Sequence, residues 1–165
     1  MNQLLILFLV IIPFVLNAQN KNYNEYSSDS IVFELKSLGE SDTLKLMGVI
    51  NDGGEFCKHK EWIYIYKYEN AYYAKLLREK PCNSEIRLKD GSSLFVNKTK
   101  LNSDLISAIY TYINDFRNFP VSFSGESNAP TFFTFEYQKK FFYRNDPMGT
   151  WKSFIELRNK LFCKI

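Results

Sequence analysis

Apolar and polar residues alternate along much of this chain with the period of a half-buried strand. Ile31, Phe33 and Leu35 alternate with Val32, Glu34 and Lys36, and Leu44, Leu46 and Ile50 alternate with Lys45, Met47 and Val49. Gly39, Glu40, Ser41 and Asp42 lie between the two runs, so the pattern predicts two antiparallel strands joined by a short loop. Asn51, Asp52, Gly53 and Gly54 then turn the chain into two dense runs, residues 60–67 and 71–78, around Tyr68, Glu69 and Asn70. Aromatic and β-branched runs flanking a short turn with Asn predict a hairpin. Asp90-Gly91, between residues 85–89 and 93–97, predicts another, so up to six strands precede the first helix.

The period then changes. Leu105, Ile106, Ile109, Tyr112, Ile113 and Phe116 recur at helical spacing, with Asn102 or Ser103 available as a cap and Asp104 suited to the positive end of the helix. Phe119-Pro120 ends that helix, and the polar residues 122–130 read as a surface loop. Two strands over residues 131–137 and 140–144 follow, separated by Gln138 and Lys139. A closing helix, begun at Asp146-Pro147 or Thr150, carries the stripe Trp151, Phe154, Ile155, Leu161 and Phe162. The order strands, helix, strands, helix predicts an α+β fold: an antiparallel β-sheet built as a meander of hairpins, with two helices packed on one face.

Charge fixes the register of the first strong hairpin. With Glu69 and Asn70 as the two turn residues, Glu61 faces Arg78 and Lys60 faces Glu79, whereas a three-residue turn sets Glu61 against Glu79 and Lys60 against Lys80. Like charges directly opposite each other are unfavourable, so the first register is preferred. It places Ile63, Ile65, Ala74 and Leu76 on one face and Trp62, Tyr64, Tyr66, Tyr73, Lys75 and Leu77 on the other. It also sets Cys57 opposite Cys82, which predicts a cross-strand disulfide and leaves Cys163 over.

Residues 4–16 form an apolar run broken only by Pro13 and followed by Asn17 and Ala18. A bilayer span needs about 20 residues, so this run reads instead as the apolar core of a secretory signal peptide over residues 1–18, despite the lack of Lys or Arg ahead of it. Residues 19–30 are then a flexible polar lead-in and residues 31–165 a single α+β domain, secreted or periplasmic, with no stable membrane anchor after cleavage. The 21 Lys and Arg against 18 Asp and Glu give a formal net charge of +3, scattered along the chain. A nucleic-acid binder is expected to show a basic stripe, so no nucleic-acid partner is expected.

Candidate chemistry is sparse. His59 is the single histidine, which rules out a paired-His metalloprotease motif. Cys57-x-His59 could pair a nucleophile with a base, but an exported chain tends to oxidise its thiols and Cys82 is the expected partner. Cys57, His59, Cys82 and Cys163 are ligand types that zinc accepts, at a spacing that matches no finger, so neither a metal nor a cofactor is expected. Asp52 and Glu55 sit in a Gly-rich turn and read as turn residues. What remains is the aromatic face, Trp62, Tyr64, Tyr66, Tyr73 and Lys75, whose rigid amphipathic rings beside a cation suit contact with another protein or a glycan. The expected function is therefore an exported small non-catalytic binding protein of inhibitor or immunity type, the alternative being a secreted enzyme using Cys57 and His59 or an acidic pair.

Overall fold

The computed structural model describes residues 31–51, 57–79, 94–119, 131–146, 149 and 151–162. Strands β1 (Thr43–Asn51), β2 (Lys58–Tyr68), β3 (Ala71–Glu79) and β4 (Leu94–Lys100) are followed by helix α1 (Ser103–Asn118), strands β5 (Thr131–Tyr137) and β6 (Lys140–Asp146), and helix α2 (Ser153–Phe162). The strands form one antiparallel sheet in the order β4-β3-β2-β1-β5-β6. The fold is α+β, as the alternation of periods predicts.

The hairpin β2–β3 has the register chosen on charge: Glu61 lies opposite Arg78 and Tyr66 opposite Tyr73. Its turn residues Glu69 and Asn70 both have positive φ, 47° and 58°, as a two-residue turn matched to the strand twist requires. Gln138 and Lys139 do the same between β5 and β6, at 47° and 63°. Of the two helices, α1 starts where its cap is expected, with the Asn102 side chain accepting from the Leu105 N–H at 2.9 Å.

Three expectations need correction. Residues 31–36 do not form a strand, because β1 already has β2 on one side and β5 on the other and offers no edge. The segment runs extended into a single 3-10 turn, Leu35–Ser37, and its apolar side chains seal the core. Leu35 donates its N–H to the Tyr110 hydroxyl at 2.8 Å, and Phe33 meets Phe135 and Tyr137 edge-on. Second, β4 continues to Lys100 rather than ending at Asn97, while the strand expected over 85–89 lies outside the described residues. Third, α2 begins only at Ser153. Asp146 is the last residue of β6 rather than a helix start, and its carboxylate accepts the Trp151 N–H at 2.8 Å, pinning the approach to the helix.

The core lies between one sheet face and the helices. Ile109, Tyr112, Ile113 and Phe116 of α1 and Phe154, Leu157, Leu161 and Phe162 of α2 are buried against Leu44, Leu46, Ile63, Ile65, Ala74, Leu76, Phe133 and Phe135. Leu157 replaces the expected Ile155, which is only half-buried. Trp151 stands edge-on to Phe133 at 4.5 Å, and Tyr112 packs against both Trp151 and Phe154.

Gly48 makes this aromatic pile possible. A Cβ there would come within 2.9 Å of the Phe154 ring and 3.2 Å of Phe133. Gly48→Ala should therefore destabilise the protein by about 1–3 kcal/mol through overpacking, read as a lower urea midpoint at unchanged slope. An unchanged midpoint would show that Phe154 can move aside.

Candidate functional site

Strand β2 separates two chemistries because successive side chains point to opposite faces. On the core side His59, Glu61, Ile63 and Ile65 are all buried. On the other side Trp62, Tyr64 and Tyr66 are half-buried, and together with Tyr73 and Lys75 of β3 they stand outside the hydrophobic core. All five residues expected to form a binding face therefore share one face of the sheet. Tyr66 stacks on Tyr73 at 5.9 Å with planes 22° apart, and Tyr64 faces Lys75.

Strand β4 contributes what the sequence reading missed. Lys98 lies opposite Lys75, and Lys100 opposite Tyr73. The Lys98 ammonium sits 4.4 Å from the Tyr73 ring centre, 5.7 Å from that of Tyr66 and 5.9 Å from that of Tyr68. Tyr68 itself meets Tyr73 at 6.3 Å and is 53 % exposed. One cation is thus held among three rings, an arrangement worth about 0.5–2 kcal/mol depending on desolvation. Farther along this face Met47 and Leu77 flank Trp62, Val96 lies beyond Leu77, and Lys45 is paired with Glu136 at 3.1 Å.

The core side holds a second constellation. Glu61 is 0 % exposed, and the His59 Nε2 lies 2.9 Å from its Oε1. The Arg158 Nη1 on α2 donates to both carboxylate oxygens, at 2.8 and 3.0 Å. The Arg78 Nε stands 3.1 Å from Oε1, close enough for charge attraction but not aligned for a hydrogen bond. Burial by itself raises the Glu61 pKa. The hydrogen bond with His59 and the charge and hydrogen bond of Arg158 outweigh it and hold the carboxyl below its ordinary range. The Glu61–Arg78 pair anticipated across the hairpin is therefore present as part of a buried network. The companion pair takes another form: the Glu79 carboxylate accepts the backbone N–H of Lys60 at 2.7 Å.

The remaining sequence candidates divide by position. His59 meets Glu61 through Nε2, and Cys57 is half-buried just before β2. No disulfide forms among the described residues, and Cys82, the expected partner of Cys57, lies outside them, as does Cys163. Among the described residues no group of three or more His, Cys, Asp and Glu could hold a metal ion, and no helix is long and apolar enough to cross a membrane. A groove of about 190 Å³ runs between α1 and α2, where Ser153 donates to Asp115 at 2.9 Å. Compared with known proteins, the chain matches no family model, no curated protein and no solved structure.

The buried network makes a quantitative expectation. Glu61→Gln leaves two guanidinium groups without their shared anion and should cost about 3–5 kcal/mol at neutral pH. Because the folded-state pKa of Glu61 lies below its ordinary value of 4.5, the stabilisation is complete above that value. It is lost as pH falls through the depressed value. Urea melts of both proteins at neutral and strongly acidic pH should therefore show a gap that narrows on acidification; a gap under about 1 kcal/mol at neutral pH would show that the network contributes little.

Proposed function

We propose that this is an exported, non-catalytic binding protein of the cell envelope or exterior, whose aromatic sheet face recognises a protein or glycan partner as an inhibitor- or immunity-type factor does. The observation that carries the reading is the group of Tyr66, Tyr68 and Tyr73 around the Lys98 ammonium, on the face turned away from the core. Tyrosines combine a large apolar area with a polar tip and lose little rotamer freedom on binding, which suits them to a surface alternately wet and covered. The apolar run over residues 4–16 supports export. The groups best suited to acid–base work support a structural role instead: Glu61 and His59 contact each other in the core, and Glu61 is clamped by Arg158.

Replacing Tyr64 and Tyr66 together by Ala should abolish capture of the partner from a native extract while changing the folding free energy by no more than about 1–2 kcal/mol, since cross-strand ring pairs contribute on that scale. A collapse in melting temperature would instead place the rings in the core. Export also favours the proposed Cys57–Cys82 bridge, since exported thiols tend to oxidise, although its second cysteine lies outside the described residues. Thiol labelling of the purified protein without reductant should find one reactive cysteine per chain. Three would remove the bridge.

A further inference from the structure

We infer that the aromatic face takes an acidic polysaccharide, a chain of sugars bearing carboxylate or sulfate groups. This rests on the binding role proposed above and names the chemistry of the partner. Basic residues that look scattered along the sequence are gathered by the sheet: Lys75, Lys98 and Lys100 occupy neighbouring positions on β3 and β4, on the same face as Tyr66, Tyr68 and Tyr73. Lys98 and Lys100 are about 7 Å apart along one strand, and Lys98 is directly opposite Lys75.

Lysines at directly opposed positions of a ladder repel, and no carboxylate forms an ion pair with Lys75, Lys98 or Lys100 among the described residues. Elsewhere on this face the sheet does neutralise a lysine, with Glu136 beside Lys45. Among the described residues, Lys75, Lys98 and Lys100 are thus grouped at the aromatic end of the face without a carboxylate partner, where an anionic ligand would relieve the repulsion.

The rings decide between kinds of anion. Stacking of nucleic-acid bases needs open aromatic faces. Tyr73, at the centre of the group, is already engaged by the Lys98 ammonium, by Tyr66 and by Tyr68. What the group can offer a ligand is phenolic hydroxyls, ring edges and ammoniums, the set that meets sugar hydroxyls and acidic substituents. A sheet face is also broad and shallow, which suits an extended polymer lying across the strands better than a compact small molecule.

Affinity electrophoresis of the purified protein tests this, through gels containing polygalacturonate, sulfated dextran, neutral dextran, polyglutamate or single-stranded DNA. The protein should be retarded by both acidic polysaccharides and not by neutral dextran. Lys75→Gln combined with Lys98→Gln should weaken that binding by about tenfold or more, and raised salt should weaken it further. Lys152→Gln combined with Lys160→Gln, which removes the same charge from exposed positions at and before α2, should change it by less than about twofold. If the first pair lowers the melting temperature, Lys98→Arg keeps the charge and should bind as the parent does.

Failure to bind either acidic polysaccharide, equal retardation by neutral dextran, stronger retardation by polyglutamate or DNA, or equal loss in the α2 pair would each overturn the inference. Partner capture that depends on Tyr64 and Tyr66, found together with no polysaccharide binding, would leave the face as a binding surface and remove only the polysaccharide. Capture and polysaccharide binding that both ignore those tyrosines would remove both.

Discussion

A carboxylate with no contact to water must be neutralised within reach of its own oxygens, and at Glu61 that requirement ties three elements together. Glu61 is on β2, Arg78 on β3 and Arg158 on α2, so the ion cluster can exist only when the hairpin is in its observed register and the last helix lies at one height along it. A slip of one residue between β2 and β3 would turn either Glu61 or Arg78 to the opposite face and leave buried charge unpaired. The register is thus enforced twice, by the two-residue turn at Glu69-Asn70 and by the cluster near the far end of the hairpin. Buried ion pairs contribute little net stability compared with apolar packing, but they penalise alternatives strongly, and here the alternatives are register slips and a displaced α2.

Because register is fixed, so is the composition of each face. The helices need one apolar face beneath them, and Ile63, Ile65, Ala74 and Leu76 supply it. Everything between those positions along β2 and β3 is sent to the other side. Trp62, Tyr64, Tyr66, Tyr73 and Lys75 are together because the core residues next to them in sequence had to be together. A folding constraint and the proposed binding face are therefore written into the same strands at alternate positions.

Periodicity made most of this architecture legible. The strands β2, β3 and β5, the cap and stripe of α1, and the hairpin register follow from alternation, turn residues and like-charge avoidance. The misreading at Ile31, Phe33 and Leu35 has a physical cause: alternation reports which side chains are buried, and an extended segment sealing the edge of a core alternates just as a strand does. Leu157 is three residues after Phe154 and four before Leu161, so strict helical spacing puts it on the buried stripe, and the helix turns Ile155 partly away from it. Lys98 and Arg158 could not be found at all. Each joins its cluster through a contact between elements distant in sequence, β4 against β3 and α2 against β2, and no local pattern records which strand edge a later segment will choose.

The sheet order also dictates a sequence of events. β1 is central, yet the partner on its second side is β5, and the ion pair between Lys45 and Glu136 joins residues 91 positions apart. A chain emerging amino end first can pair β1 through β4, which are neighbours in both sequence and sheet, but it then carries an unpaired inner edge and an incompletely covered apolar face until β5, β6 and α2 arrive. Such a half-sheet is exposed to association, since open edges invite strand exchange between chains. The segment from β5 to α2 is thus both a structural layer and the closure of the inner edge of β1, and trimming it would leave that edge and the apolar face beside it open to another chain.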